Sequence, residues 1–405
     1  MSVADHQFNA IDVCCGCGGL SLGLRRAGFH TCHAFDHNAD ALSTFSSHHP
    51  TTQMHHVDIT DLAKRIDCYN VQTTIDLVCG GPPCEGFSGY NRFRSAGDSR
   101  NDRVSRFLDV VSVINPRAVL IENVVGILSS SEGEVPIRLL DALDRLGFSP
   151  SLHVLQAGGY GVPQNRWRVF FVGLRGGEAR FYAPEPTHFF PRLPIGGGAT
   201  KWRDAVIHPI SPANGMLPVA KPPITVRDAI GDLPPLANGQ SLPPTEFAVE
   251  PQTDYQKCLR DDSSLLNNHS TKRLGSLQIR RVHHIPKKPW SCWNDLPDEL
   301  KPKHLVRQGA VAYDNRFGRL WNEDFFNTIL TDAHLYWGRV IHPEDDRVIS
   351  VRESARAQGI PDSVVFYGRL SSQYRQVGNA VPPRLAEAIG AKVVESFERS
   401  SVPTG

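Results

Sequence analysis

The chain lacks an excess of charge of either sign, long apolar runs and a secretion signal. Its 405 residues carry 43 lysines and arginines against 42 aspartates and glutamates, so the overall charge does not indicate a nucleic-acid partner. No stretch approaches the ~18 uninterrupted apolar residues that a membrane span needs, and we expect no membrane partner. The opening segment, MSVADHQFNA, has neither a basic nor an apolar region, which argues against a signal peptide.

Cysteine pairs that could complete a metal site are also missing. Nine cysteines, an odd number, indicate free thiols in a reducing compartment rather than a disulfide framework. Cys14, Cys15 and Cys17 lie close together, but no further cysteine pair completes a ligand set at a familiar spacing. We therefore predict no metal and interpret these three residues as buried or loop thiols.

The first part of the chain alternates short apolar runs with helical stretches, which is typical of a parallel sheet covered by helices. The predicted strands are Asn9–Cys14, Thr31–Phe35, Ile75–Cys79, Ala118–Ile121, Leu152–Leu155 and Val169–Val172. The predicted helices are Leu20–Ala27, Asn38–Ser46, Val104–Ile114 and Val135–Leu146. From Pro184 to Trp290 prolines and glycines recur, which predicts a separate, loop-rich unit. Regular structure returns at Val351–Gln358 and Arg384–Ser396.

A glycine-rich segment, DVCCGCGG, lies between the first predicted strand and the first predicted helix. Glycines let the backbone approach a ligand closely, and the helix N-terminus offers unpaired N–H groups. Asp36 follows Gly16 by 20 residues and ends the next strand, where an acidic side chain reaches ribose hydroxyls in such folds. The segment lacks the third glycine of the dinucleotide fingerprint, which argues against a nicotinamide cofactor.

Asp58 has two possible interpretations. Its carboxylate could accept a hydrogen bond from an adenine amino group, or it could cap a helix that begins before Leu62. The local sequence favours neither.

A second motif, GGPPCEGFS, lies just beyond the end of a predicted strand, where open α/β sheets place their ligands. It contains Cys84, although an isolated cysteine is more often a packing residue. Other polar side chains favour a chemical role, because Glu122 ends the following strand and Arg166 and Arg168 precede another. A carboxyl group can hold or donate a proton, whereas arginines suit phosphate or carbonyl oxygens.

Six motifs in this order resemble those of the DNA cytosine-5 methyltransferases, and are most similar to the catalytic domain of the eukaryotic maintenance-type enzymes. They are DVCCGCGGLSLGL, GGPPCEGFSGYNRF, IENVVGI, LQAGGYGVPQNRWRVFFVG, SVRESARAQGIPD and RQVGNAVPPRLAEAIG. The resemblance implies an α/β, Rossmann-like class I methyltransferase fold with a mixed, mostly parallel sheet, plus a loop-rich target-recognition domain. It places the catalytic domain at 1–183 and 346–405 and the target-recognition domain at 184–345.

The resemblance also implies methyl transfer from S-adenosylmethionine to carbon 5 of cytosine in double-stranded DNA, with CpG as the expected target. By this resemblance Cys84 adds to carbon 6 of a flipped-out cytosine, Glu122 hydrogen-bonds its N3 and amino group, and Arg168 contacts its O2. Arg166 steadies the loop or a phosphate. The residues expected at the cofactor are Gly16, Gly18, Gly19, Leu20, Asp36, His37, Asp58, Pro83, Asn379 and Val381.

The chain departs from the family's pattern at three positions. Cys14 and His37 stand where aromatic rings often contact the cofactor, which predicts a weaker cofactor affinity. Glu85 stands where glutamine is usual, and its carboxylate would raise the pKa of the neighbouring Cys84 thiol.

The predicted recognition domain contains a stretch, 263–294, with basic residues and no acidic one. This pattern favours contacts with phosphates over a merely solvated loop. The predicted DNA-binding residues are Ser88, Lys272, Arg273, Arg280, Arg281, Lys287 and Lys288. Trp290 and Trp293 are either core residues or wedges against DNA. Farther on, the helical spacing of Arg352, Glu353 and Arg356 predicts a structural ion-pair scaffold.

Two alternative functions remain open. The sister family methylates cytosine in transfer RNA, but its Cys-Phe-Thr signature is absent from this chain. The other alternative is a catalytically weak DNA-binding homologue, which the departures from the family's pattern at Cys14 and Glu85 suggest. The resemblance implies a nuclear location, or a cytoplasmic one for a prokaryotic source. The sequence does not identify protein partners.

Overall fold

The computed structural model describes residues 8–69, 71, 73–82, 102–176, 180–191, 193–195, 199–210, 220–260, 263–308 and 314–400. The chain forms two compact units. The first comprises the described residues of Met1–Gly161, Trp167–Pro222 and Val381–Gly405, and the second those of Val162–Arg166 and Pro223–Ala380. These bounds differ from those of the predicted domains, which remain a prediction.

An eight-stranded sheet forms the centre of the first unit. Its strands are β1 (Phe8–Val13), β2 (Phe29–Asp36), β3 (Gln53–His56), β4 (Leu77–Gly80), β5 (Ala118–Val124), β6 (Ser149–Gln156), β7 (Trp167–Leu174) and β8 (Val206–Ile207). In the order β3-β2-β1-β4-β5-β7-β6-β8, β7 runs antiparallel to both neighbours, and the other neighbouring pairs are parallel. The predicted mixed, mostly parallel sheet is thus confirmed.

Each of the six predicted strands overlaps one of these strands, whereas β3 and β8 are not predicted. The prediction Asn9–Cys14 extends one residue past β1, and Ile75–Cys79 begins two residues before β4. Every residue of β7 is buried, so its sequence is a continuous run of mostly apolar residues. The sequence of β3, QMHH, has a single apolar residue, and none of its residues is buried because the strand lies at the sheet edge. With only two residues, β8 is too short to show a pattern.

Helices occur in both units. Their bounds are α1 (Gly19–Arg26), α2 (Ala39–His48), α3 (Ile59–Arg65), α4 (Asp102–Ile114), α5 (Glu134–Arg145), α6 (Val226–Ile230), α7 (Asp254–Arg260), α8 (Ser276–His284), α9 (Lys303–Gln308), α10 (Val351–Ala357), α11 (Leu370–Asn379) and α12 (Pro383–Ser400). Of these, α6–α11 belong to the second unit. No helix in the described ranges is both long and apolar enough to cross a membrane.

The last helix packs against the first, within the first unit. Gly23 in α1 permits this contact, because a Cβ there would lie 2.2 Å from the carbonyl oxygen of Pro383. The two ends of the chain thus build one unit.

Asn38 caps α2 by accepting a hydrogen bond from the Ala41 amide at 3.1 Å.

The second unit consists of short elements, as its prolines and glycines predict. Besides its helices it contains the two-stranded pairs β9 (Thr245–Glu246) with β10 (Leu265–Leu266) and β11 (Gly318–Arg319) with β12 (Arg339–Ile341). The predicted ion-pair scaffold is present, but its members bind other residues rather than one another. Arg356 donates to Asp362 and Asp232, and Glu353 accepts two hydrogen bonds of 2.8 Å from Arg347.

Candidate cofactor and catalytic site

The glycine-rich segment forms a tight loop between β1 and α1. Cys14, Gly16 and Gly18 have φ angles of 61°, 54° and 87°, in the left-handed region that glycine adopts easily and cysteine does not. The Gly16 amide donates to Oδ2 of Asp36 at 2.9 Å, and the Asn38 amide donates to Oδ1 at 2.8 Å. The buried carboxylate of Asp36 therefore anchors this loop to the end of β2.

A pocket opens beside this loop in the first unit. It is lined by Val13, Cys14, Phe35, Asp36, His37, Val57, Asp58, Ile59, Leu62 and Arg103. Apolar side chains meet two carboxylates here, a combination that fits an adenine ring with hydroxyl and amino groups at its edge. Three of the predicted cofactor residues line the pocket: Asp36, His37 and Asp58. Four others lie in the adjacent loop and the first turn of α1: Gly16, Gly18, Gly19 and Leu20.

Asp58 caps α3, as one of its two interpretations predicts. Oδ1 accepts a hydrogen bond from the Thr60 amide at 2.9 Å, and Oδ2 lies 3.7 Å from Nη2 of Arg103. Hydrogen bonding by the Thr60 side chain lowers the pKa of this carboxyl, so it is ionised at neutral pH. Because the cap uses Oδ1, the adenine contact stays compatible with it and remains a prediction. Arg103 is not predicted, since no motif marks its position in α4.

The remaining predicted cofactor residues are distributed differently. Asn379 is the exposed last residue of α11 in the second unit. Val381 is buried and belongs to the first unit. Pro83 lies outside the described residues.

Glu122 and Arg168 form a buried ion pair on adjacent strands. Nε of Arg168 lies 2.8 Å from Oε1 of Glu122, and each side chain is 10% exposed. Arg168 lies opposite Val124 in the antiparallel pair of β5 and β7, so its side chain and that of Glu122 are diagonal neighbours on one face. The structure thus brings together two of the predicted catalytic residues.

The chain that leads into the predicted nucleophile motif passes beside this pair. A Cβ at Gly81 would lie 3.2 Å from Oε2 of Glu122, so a larger residue would require the carboxylate to shift by a few tenths of an ångström. Nδ2 of Asn123 donates to the carbonyl of Pro82 at 3.2 Å and fixes the backbone there. The rest of the motif, 83–88, lies outside the described part of the chain and includes Cys84, Glu85 and Ser88.

Arg166 belongs to the second unit and is 1% exposed. Its Nη1 donates to the carbonyl of Ile329 at 2.9 Å, and Nη2 donates to the carbonyls of Gly378 and Ala380 at 2.8 and 3.0 Å. The guanidinium therefore holds the end of α11 in place. Of its two predicted roles, steadying a loop fits this geometry, whereas a buried guanidinium bonded to main-chain carbonyls does not suit a phosphate.

The predicted DNA-binding cluster divides into two groups. Nζ of Lys272 lies 2.7 and 2.8 Å from the two oxygens of Asp332, and Nζ of Lys288 lies 3.0 Å from Asp295. Arg281 is partly buried and donates to a main-chain carbonyl at 2.8 Å. The other three are exposed and have no acidic partner among the described residues: Arg273, Arg280 and Lys287.

The cysteines of the glycine-rich loop are free thiols. Burial raises the pKa of Cys14 and Cys15 well above the ordinary value and that of Cys17 to about 12. They are protonated at neutral pH, whereas a metal ligand must be a thiolate. Across the ranges that the structure describes, no group of three or more histidine, cysteine, aspartate or glutamate side chains could hold a metal ion.

The sheet order, the glycine-rich loop after β1 and the acidic residue that ends β2 define a Rossmann-like class I methyltransferase fold. The model of the C-5 cytosine-specific DNA methylases matches residues 8–395. The chain belongs to this family, as its motifs predict. Family membership also supports the predicted cofactor, S-adenosylmethionine.

Individual relatives agree with this assignment. DNA (cytosine-5)-methyltransferase 1A of Oryza sativa subsp. japonica is 35% identical over 98% of this chain, and DNA (cytosine-5)-methyltransferase 1 of Mus musculus is 34% identical over 96%. The chain spans only 29% and 28% of the length of these two relatives. A solved structure of a candidate DNA modification methyltransferase from an E. coli prophage has a TM-score of 0.70 at 24% identity, covers 97% of this chain and all of its own, and supports the fold.

Proposed function

We propose that the chain transfers a methyl group from S-adenosylmethionine to carbon 5 of cytosine in double-stranded DNA, with Cys84 as the nucleophile. The observation that carries this proposal is the buried pair of Glu122 and Arg168 beside Gly81 and Pro82, which lead into the Cys84 motif. A carboxylate and a guanidinium held together away from water suit a flat ring with hydrogen-bonding atoms on neighbouring edges, as in cytosine.

Each side chain has one task in the proposed mechanism. The thiolate of Cys84 adds to carbon 6 of a cytosine flipped out of the duplex, because the ring is inaccessible while stacked. In its protonated form Glu122 donates to N3 and accepts from the amino group, and its proton neutralises the negative charge that develops on the ring. Arg168 orients Glu122 and donates to O2. After carbon 5 has been methylated, loss of its proton and elimination of Cys84 restore the aromatic ring.

The pocket beside the glycine-rich loop fits S-adenosylmethionine. Its apolar wall suits the adenine ring, while Asp36 and Asp58 offer acceptors to the ribose hydroxyls and the adenine amino group. When bound, the cofactor supplies an electrophilic methyl group. Cys14 provides a thiol where relatives often have an aromatic ring, so we expect a lower cofactor affinity than theirs.

Two finer assignments rest on the similarity to eukaryotic enzymes such as those of rice and mouse. We infer CpG as the target and, for a eukaryotic source, a nuclear location. Methylation of transfer RNA and a catalytically weak DNA-binding role are the alternatives that the experiment must separate from this function.

A methyl-transfer assay on unmodified and hemimethylated duplexes, read at sequence resolution, tests the substrate, with transfer RNA as the alternative. DNA with 5-fluorocytosine at the target tests the nucleophile, because fluorine blocks the elimination and leaves a denaturation-resistant adduct. Cys84→Ala is expected to abolish the adduct, whereas the exposed thiol of Cys68 provides the control variant Cys68→Ala. An adduct with Cys84→Ala contradicts the mechanism, and methylation of transfer RNA alone contradicts the substrate.

A further inference from the structure

Trp290 is the most exposed large apolar side chain in the described part of the chain, at 63%. Its φ angle of 64° lies in the left-handed region, which favours glycine and is a strained conformation for a bulky residue. Trp293 is 2% exposed and belongs to the core. Of the two tryptophans with an open assignment, only Trp290 is therefore available to a partner.

Arg339 holds the indole of Trp290. Its Cζ lies 4.0 Å from the centre of the Trp290 ring, and Nη1 lies 3.5 Å from Oδ2 of Asp324. The Arg339 side chain is only 11% exposed. A cation at this distance is attracted to the aromatic ring and restricts its orientation. The exposed indole is thus held in place by a nearly buried guanidinium.

Further aromatic and basic residues lie close to this pair in the chain. Trp337, which precedes Arg339 in the chain, is 44% exposed, and Lys287 and Lys288 are exposed just before Trp290. We call Lys287, Lys288, Trp290, Trp337 and Arg339 the tryptophan surface. It combines two exposed indoles with the exposed ammonium of Lys287, whereas Lys288 and Arg339 are paired with Asp295 and Asp324.

We propose that the tryptophan surface binds the DNA substrate, with Trp290 stacking on a nucleobase face that becomes exposed when a cytosine leaves the duplex. This inference rests on the proposed function. Indole rings stack on bases of any sequence, and the neighbouring Lys287 attracts a phosphate, so together they suit a nucleic acid better than an apolar protein partner. Strained backbone such as that of Trp290 is typical of functional positions.

Trp290→Gly is the decisive variant, because it removes the indole while glycine adopts the left-handed backbone without strain. Trp290→Phe keeps an aromatic ring. The control is Tyr182→Ala in the first unit, since Tyr182 is 54% exposed and lies 5.5 Å from the guanidinium carbon of Arg399. Affinity is measured by fluorescence anisotropy of a labelled target duplex at several salt concentrations, and folding by the thermal midpoint.

We expect Trp290→Gly to weaken DNA binding about 5- to 100-fold and Trp290→Phe to weaken it less. The salt slope should stay unchanged, since indole carries no charge, and Tyr182→Ala should bind like the wild type. If Trp290→Gly binds DNA with wild-type affinity and has an unchanged thermal midpoint, the role of Trp290 is overturned while the proposed function is unaffected. If Trp290→Gly unfolds, wild-type affinity of a Trp290→Ser variant that remains folded overturns it instead. Failure of the wild type to methylate DNA, in contrast, contradicts the proposed function.

Discussion

Oε1 of Glu122 lies 2.8 Å from Nε of Arg168 in an ion pair between two antiparallel strands of the central sheet. Both side chains are only 10% exposed. Removal of one partner of a buried pair leaves the other charge unbalanced and typically costs about 3–5 kcal/mol. The pair is therefore tested best by variants that keep the shape of the side chain.

Glu122→Gln should lower the single-turnover rate of methyl transfer about 10²- to 10⁴-fold, because an amide cannot supply the proton that neutralises the negative charge developing at N3, whereas a carboxyl group can. Affinity for DNA should change little. Rapid-quench assays at saturating DNA and cofactor measure the rate, with Glu134→Gln on the exposed side of α5 as the control. A wild-type rate for Glu122→Gln would exclude Glu122 from the chemistry.

Substitution of Asp58 separates its two roles. Asn is as good a helix cap as Asp, so Asp58→Asn should keep the cap and lose only the weak contact with Arg103, but it should weaken binding of S-adenosylhomocysteine if the carboxylate contacts adenine. Asp58→Ala should in addition lower the free energy of unfolding by about 1 kcal/mol through loss of the cap. Titration calorimetry and urea unfolding measure the two effects. If Asp58→Asn binds S-adenosylhomocysteine like the wild type, the cap is the whole role of Asp58.

Asp12 should make stability depend on pH. Burial raises its pKa from 3.8 to about 7, although Ser21 donates a hydrogen bond of 2.6 Å to its carboxylate. The folded protein therefore keeps this proton up to about pH 7, whereas the unfolded chain releases it near pH 4. The contribution of Asp12 to the free energy of unfolding therefore falls as the pH rises from about 4 to about 7, by on the order of 4 kcal/mol in total.

Asp12→Asn removes this titration, so its unfolding free energy should increase relative to that of the wild type between pH 5 and pH 8. Urea unfolding at the two pH values measures the difference, and Asp61→Asn, at an exposed position in α3, is the control. An identical difference between variant and wild type at both pH values would show that Asp12 does not titrate in this range.

Local patterns predict much of the first unit. Its central strands are buried apolar runs, and Asp36 ends the second strand as predicted. The hydrogen bond of 2.9 Å from the Gly16 amide to Asp36 is not predicted. The edge strand β3 is not predicted because it has no buried face. Arg103 in the pocket is not predicted either, because its approach to Asp58 depends on how α4 packs.

The charged residues show more clearly that the sequence alone does not predict which groups the fold brings together. The stretch 263–294 contains no acidic residue, yet Lys272 forms an ion pair with Asp332, which is 60 residues away in the chain. A count of charges along the sequence therefore overestimates the positive field, because folding brings carboxylates from other segments to it. Only the structure separates the paired lysines from the exposed ones.

The distinction between paired and exposed cations predicts which residues contact phosphates. Arg273→Ala, Arg280→Ala and Lys287→Ala should each weaken DNA binding equally on target and scrambled duplexes and lower the salt slope by about 1. A side chain that reads a guanine edge would instead lose ~1–3 kcal/mol on the preferred site alone.

Lys272→Ala is the matched comparison, because its charge is already balanced by Asp332 in the folded protein. It should lower the salt slope by less than the other three substitutions, while the free energy of unfolding falls by no more than ~1 kcal/mol. Affinity is titrated against salt for each variant, with the exposed Lys64→Ala of the first unit as the control. Unchanged slopes for Arg273→Ala, Arg280→Ala and Lys287→Ala would mean that these cations are solvated and that other residues hold the DNA backbone.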